Sequence, residues 1–270
     1  MNRRDALLLA APALIATGAR APAAPAATGA EVFEHPPMNG PPLQIAILLY
    51  PAFFTLDVVN PQTFFKGLGN ADVFHVARTR EPVAGDLGIP FTALHDFESC
   101  PKDLDILFVP GGLKGTIPAM GDRATLDFLA DRGARARYVT SVCTGSLLLG
   151  AAGLLEGYKA ASYWMVRDLL PLFGAEMVRQ RVVVDRNRIT GGGATAGLDF
   201  GLTLAGVLRG ADYARMLQLA IEYDPHPAFD AGSPETAPEP IVAHLRRMRA
   251  GEIAAAREAA QAAAKRRRGG

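Results

Sequence analysis

The chemistry in this sequence gathers around one thiol. In Tyr138-Val-Thr-Ser-Val-Cys143-Thr144-Gly145-Ser-Leu-Leu-Leu149 an apolar strand pattern passes straight into a helical one, leaving no room for a loop. Cys143 therefore falls on a sharp turn at the carboxyl end of a strand. That is the position of a nucleophile elbow, although the glycine spacing is not that of the serine hydrolases. The unpaired N–H groups and positive dipole end of the following helix favour thiolate over thiol, which predicts a reactive nucleophile. The plain alternative is a buried, inert cysteine, a common state for a free thiol.

Two further segments could serve that thiol. Pro110-Gly111-Gly112-Leu113 follows an apolar strand, and its glycines let the backbone approach closely. The N–H groups of Gly112 and Leu113 could face negative charge developing on a substrate. Asp57 stands among apolar neighbours in Phe54-Thr-Leu-Asp57-Val-Val-Asn-Pro61. It reads either as a helix N-terminal cap or as a buried carboxyl beside Cys143, which burial and the neighbouring sulfur would turn into a proton donor.

Other chemistries find little support. Cys100 and Cys143 are the only cysteines and form no C-x-x-C, and the five histidines are scattered without an H-E-x-x-H. Neither a disulfide framework nor a metal enzyme is predicted. With 28 basic and 27 acidic residues the net charge is +1, without the positive excess that a general nucleic-acid partner requires.

The elements that must position these residues alternate strand with helix. Strands are predicted at Leu43–Tyr50, Val73–Ala77, Leu104–Val109 and Arg137–Val142, with a bent hairpin between Pro82 and Phe97 and short strands near Val182–Val184 and Arg188–Thr190. Helices are predicted at Asp57–Leu68, Asp122–Arg132, Thr144–Leu155, around Met165–Leu172, at Thr195–Leu208 and at Ala211–Ile221. Such alternation implies a mostly parallel sheet with helices on both faces, and ligands at the carboxyl ends of the strands. Cys100 precedes one core strand and Cys143 follows its neighbour, so the two thiols should sit at opposite edges of the sheet.

The ends of the chain read differently. Arg3-Arg4 precede an apolar run from Ala6 to Ala16 and then small residues with proline, a twin-arginine-like export signal over residues 1–23. The run is too short to span a membrane, which takes about 20 apolar residues. A periplasmic location without stable membrane insertion is the expectation. A Pro/Ala/Gly-rich linker covers 24–42 and the α/β domain 43–240. From 241 to 270 an Ala-rich helix with a basic end reads as a solvated tail. His226, in Asp224-Pro-His-Pro227, reads as loop structure.

The stretch S-V-C-T-G-S-L-L-L-G-A-A-G-L-L-E-G-Y-K-A, with L-D-V-V-N-P-Q-T-F-F upstream and T-G-G-G-A-T-A-G-L-D-F and E-Y-D-P-H-P-A-F-D-A-G-S-P downstream, resembles the isonitrile hydratase-like branch of the ThiJ/PfpI superfamily. That resemblance to the class I glutamine-amidotransferase-like group implies a flavodoxin-like fold, a homodimer, a small-molecule substrate and no cofactor. By position it makes Cys143 the nucleophile, Asp57 the acid–base carboxylate and Thr144 the residue after the nucleophile. Proteolytic relatives carry histidine at that last position, so Thr144 removes the Cys-His pair of a peptidase. Where the branch often reads Thr-His-Trp this chain has Ser162-Tyr163-Trp164, which makes Tyr163 and Trp164 pocket candidates.

The implied reaction is cysteine-dependent hydration of an isonitrile to an N-substituted formamide, with Thr144 positioning water or carboxylate. Hydration of glyoxals or other reactive aldehydes, and a periplasmic ligand-binding or redox-sensing role without catalysis, stay open beside it.

Overall fold

The run Leu43-Gln-Ile-Ala-Ile-Leu48 can bury both faces, and in the computed structural model, which describes Glu34 and residues 38–269, it is the central strand β1 (Leu43–Leu48). Ile45 to Leu48 are fully buried, as a strand covered on both sides requires. The stretch expected to be an export signal, 1–23, and most of the expected linker lie outside the described residues. The linker's end is tied down: Asn70 Nδ2 donates to the carbonyls of Met38 and Gly40.

After β1 the chain forms α1 (Thr55–Gly67), β2 (Ala71–Ala77), a small antiparallel hairpin of β3 (Val83–Ala84) and β4 (Pro90–Phe91), and the edge strand β5 (His95–Asp96). Next come β6 (Ile106–Val109), α2 (Leu113–Ala119), α3 (Arg123–Arg135), β7 (Tyr138–Ser141) and α4 (Gly145–Ala151). A two-stranded parallel pair, β8 (Lys159–Ala160) with β9 (Glu176–Met177), brackets a 3-10 helix at Arg167–Phe173. The remainder is β10 (Val182–Asp185), β11 (Arg188–Gly191), α5 (Ala196–Arg209), α6 (Ala211–Ala220), α7 (Glu239–Met248) and α8 (Ala250–Gly269).

The main sheet has the order β10-β11-β7-β6-β1-β2-β5. Every neighbouring pair is parallel except β10 with β11. This is the mostly parallel sheet that the strand–helix alternation predicted, in the flavodoxin-like arrangement that the family resemblance implied. The strand order reverses between β1 and β6, and the crevice beyond their carboxyl ends is where such sheets bind ligands. The segments that follow β1, β6 and β7 there carry Asp57, Gly111-Gly112 and Cys143.

Three expectations need correction. Helix α2 was not predicted, because Gly115 and Pro118 hide its pattern; Gly115 is required there, since a Cβ would lie 2.3 Å from the Pro51 carbonyl oxygen. The helix after Cys143 ends at Ala151 rather than Leu155. The tail is not a solvated helix. It is two helices, and α8 turns Ala256, Ala260, Ala263 and Ala264 onto α2, α4 and the 3-10 helix, where all four are buried. Alanine lets the helix approach closely, and its basic end grips the body: Arg266 donates to the Met120 carbonyl and Arg267 pairs with Glu156 at 2.8 Å.

Candidate functional site

Cys143 has a φ of +56°, in the left-handed region that a β-carbon disfavours, so the elbow is strained. The surroundings hold it in that state. Its N–H donates to the Gly192 carbonyl at 2.6 Å, and its own carbonyl accepts from Ser146 Oγ and Ser162 Oγ, both at 3.1 Å. Gly145 passes so close to β6 that a Cβ would lie 2.2 Å from the Val109 carbonyl oxygen. These clamps come from three separate segments, and the motif around Cys143 announces only Ser146 among them.

Asp57 lies in the first turn of α1 and is fully buried. It does not cap its helix. That task falls to Asp86, from the β3–β4 hairpin, whose Oδ1 accepts from both the N–H and the hydroxyl of Thr55 at 2.8 Å. Asp57 Oδ2 instead accepts the Gly111 N–H at 2.9 Å, while Oδ1 is buried without a hydrogen-bond partner. Gly111 separates the carboxyl from the nucleophile. A Cβ there would stand 2.5 Å from Thr144 N, 2.7 Å from Cys143 Cβ and 2.8 Å from Asp57 Oδ2. Only glycine lets the three groups meet.

The pair retains protons. Burial pushes the Asp57 carboxyl up to about 7, against the Gly111 N–H and the Cys143 thiol, which both favour the carboxylate. Burial also pushes the Cys143 thiol well above its ordinary value, and the charge of Asp57 pushes it further. The N–H groups of Thr144 and Gly112 pull the other way without prevailing. The expectation of a resting thiolate is therefore corrected: desolvation and a neighbouring carboxylate outweigh the end of a helix only seven residues long.

Thr144 is fully buried, and its hydroxyl faces away from the cavity. Its Oγ1 accepts the Gly112 N–H at 2.9 Å and meets Thr116 Oγ1 at 2.7 Å; Thr116 in turn meets the Tyr50 hydroxyl, which donates to the Pro110 carbonyl. The hydroxyl expected to position water instead braces the Gly-Gly turn. Gly112's N–H, expected to face substrate, donates to that brace and also acts on the Cys143 sulfur. Leu113 lines the cavity.

The cavity above Cys143 holds about 250 Å³. Its lining includes the apolar Ala52, Phe54, Leu113, Met165 and Ala194, and Tyr163 shares the cavity with Cys143. Of the two pocket candidates, Tyr163 is in the lining of this cavity. Trp164 is not: its ring turns to a separate depression, under the Arg246 guanidinium at 5.5 Å. His226 is exposed and bonds only to its own neighbour, Asp224. Cys100 is buried and free, as is Cys143, and its sulfur contacts the Pro101 carbonyl. Sequence reasoning missed the rim, where Lys114, Asp86, Arg249 and Glu252 gather. The last two stand at the α7–α8 junction, which looked like a tail.

The DJ-1/PfpI family model matches residues 43–206. The chain is 49% identical over 205 residues to the isonitrile hydratase of Pseudomonas putida, covering 76% of this chain and 89% of that one. It is 29% identical over 197 residues to the HTH-type transcriptional regulator GbdR of Pseudomonas aeruginosa, matching 69% of this chain but only 51% of the regulator. Among solved structures, a THiJ/PfpI family protein from Pseudomonas syringae superposes with a TM-score of 0.82 at 48% identity, covering 88% of this chain and 98% of that one.

Proposed function

The chain belongs to the DJ-1/PfpI family, and from that premise we propose that it hydrates isonitriles, R–N≡C, to N-substituted formamides, with Cys143 as nucleophile and Asp57 as proton carrier. The observation that carries the reading is the desolvated Asp57–Cys143 pair across Gly111, in a fold 49% identical to an isonitrile hydratase.

Near neutral pH the pair in its singly protonated form holds the one proton that the first step consumes. The terminal carbon of an isonitrile accepts sulfur and hydrogen on the same atom. Cys143 passes its proton to the Asp57 carboxylate, the thiolate attacks that carbon, and the Asp57 carboxyl protonates it. A C–S and a C–H bond form, the N≡C bond becomes N=C, and the product is the thioimidate R–N=CH–S–Cys143. Asp57 is left ionised.

Water then adds to the thioimidate carbon while Asp57 takes one of its protons and delivers it to nitrogen. The C–S bond breaks, the remaining hydroxyl proton returns to the pair, and R–NH–CHO leaves. Each step needs one group that gives and then takes a proton, and a carboxyl held at about 7 does both near neutral pH. The apolar wall admits the R group and keeps bulk water from the thioimidate.

The homodimer implied by the family resemblance is part of this proposal, and sedimentation of the full chain tests it. The function is tested by offering the purified protein isonitriles and glyoxals side by side. Formamide production that depends on Cys143 is expected; turnover of glyoxal alone would overturn the reading in favour of aldehyde hydration.

A further inference from the structure

The charged residues that line the cavity are solvent-exposed, apart from the half-buried Glu252. Lys114 projects from the first turn of α2, and Arg249 and Glu252 from the α7–α8 junction. Asp86 completes the set. The cations and anions balance in number, but they differ in what they have left to offer. Asp86 Oδ1 already accepts twice from Thr55 and fixes the start of α1. Glu252 Oε2 accepts from Arg249 Nη1 at 2.6 Å.

The cations are less occupied. Arg249 uses Nη1 alone among the nitrogens of its guanidinium, and Lys114 has no ion-pair partner among the described residues. Arg249 is about half exposed, so its link to Glu252 is of the weak, exchangeable kind. Tyr163 lines the same cavity and feels the charges of Cys143, Arg249 and Glu252 together. A small molecule that reaches Cys143 past the apolar wall therefore ends among spare N–H donors.

We propose that Lys114 and Arg249 form an anion-recognising rim that selects substrates with an apolar body and a carboxylate on the end remote from the reacting carbon. Glu252 is the built-in competitor: it occupies one face of Arg249 until the substrate carboxylate takes its place. The fork of the guanidinium suits a planar carboxylate, while the lysine supplies a point charge. Both Arg249 and Glu252 lie beyond residue 206, where the family match ends, so the C-terminal helices bring the selectivity to a floor built by the rest of the domain.

This inference takes the hydratase reading for its substrate class, and its test separates the two. In the full chain, Cys143 is alkylated with iodoacetate and, separately, with iodoacetamide, and the modified peptide is followed by mass spectrometry. The rim should favour the anionic reagent. The iodoacetate-to-iodoacetamide rate ratio should fall about fivefold in Arg249→Gln, the scale of one exposed charge interaction, and further in the Lys114→Gln/Arg249→Gln double variant. Arg249→Lys should restore part of it, and Glu252→Gln should raise it above wild type.

With substrates, the ratio of kcat/KM for an aryl isonitrile bearing a carboxylate to that for its methyl ester should fall in the same variants, mainly through KM. A reagent ratio that ignores all four substitutions overturns the rim. If the reagent ratio responds while no isonitrile is turned over, the rim stands and the hydratase reading falls.

Discussion

The floor and the rim of one cavity are built on opposite terms. At the floor, Asp57, Thr144 and Gly111 sit within the core, and the polar groups around Cys143, Asp57 Oδ1 apart, are held by fixed partners. At the rim, Lys114 and Arg249 stand in solvent beside the half-buried Glu252, and the three make one exchangeable link. Desolvation therefore dominates below, where it decides which atoms carry protons, and screening dominates above, where charge only sorts what enters. Changes to the floor should act on the chemical step, and changes to the rim on which substrate reaches it.

The largest effect should come from Cys143→Ala, which is expected to abolish formamide production while leaving the fold intact. Wild-type rates in that variant would sink the assignment. Asp57→Asn should cost about 10²-fold or more in kcat, the scale of a lost acid–base group. In the wild type, kcat/KM should rise with pH through about 7 as the pair reaches its singly protonated state. That limb should vanish in Asp57→Asn.

Stability should run the other way. The folded pKa of Asp57 lies above its unfolded value, so its protonation favours the folded state below about pH 4, and that contribution is lost as pH rises through about 7. At about 1.4 kcal/mol per pKa unit, the loss is on the order of a few kcal/mol. Urea denaturation at pH 5 and pH 8 should show Asp57→Asn gaining on wild type at the higher pH. An Asp57→Asn protein that is relatively less stable at pH 8 would mean the carboxylate is stabilised where it sits.

Smaller effects sharpen the contrast. Gly111→Ala should lower kcat at least about tenfold, because the new methyl enters the space between thiol and carboxyl, and should cost about 1–3 kcal/mol of stability by overpacking. Ser162→Ala removes one of two hydroxyls that hold the Cys143 carbonyl, and is expected to lower kcat a few-fold and stability by about 1 kcal/mol. If Ser162→Ala changed KM alone, the idea that this serine acts on the elbow would fail.

The sequence made the floor legible and the rim nearly invisible, for physical reasons. A strand that runs into a helix at Cys143 leaves a local signature, and the Gly111-Gly112 pair leaves another. Asp57 was ambiguous between cap and buried acid because that choice rests on Asp86, which stands 29 residues later in the chain. Ser162 and Gly192 clamp the elbow from distant segments, and Thr144's hydroxyl found partners in Gly112 and Thr116 that spacing does not reveal. α8 misled because alanine at close-packed positions looks the same as alanine on a solvated helix, and only the partner surface tells them apart.

The protonated state of the elbow has a bearing on durability. Thiolates attack peroxides and disulfides far faster than thiols do, and the residues that sense oxidants are accessible and readily ionised. Cys143 is enclosed, and its proton is held by burial and by the charge of Asp57. Its nucleophilicity appears when that proton passes to Asp57, beside an electrophile that has entered the cavity. A catalyst armed by its own substrate, rather than standing armed, can endure oxidising surroundings that would consume an exposed thiolate, and the same reticence makes Cys143 a poor alarm for oxidants.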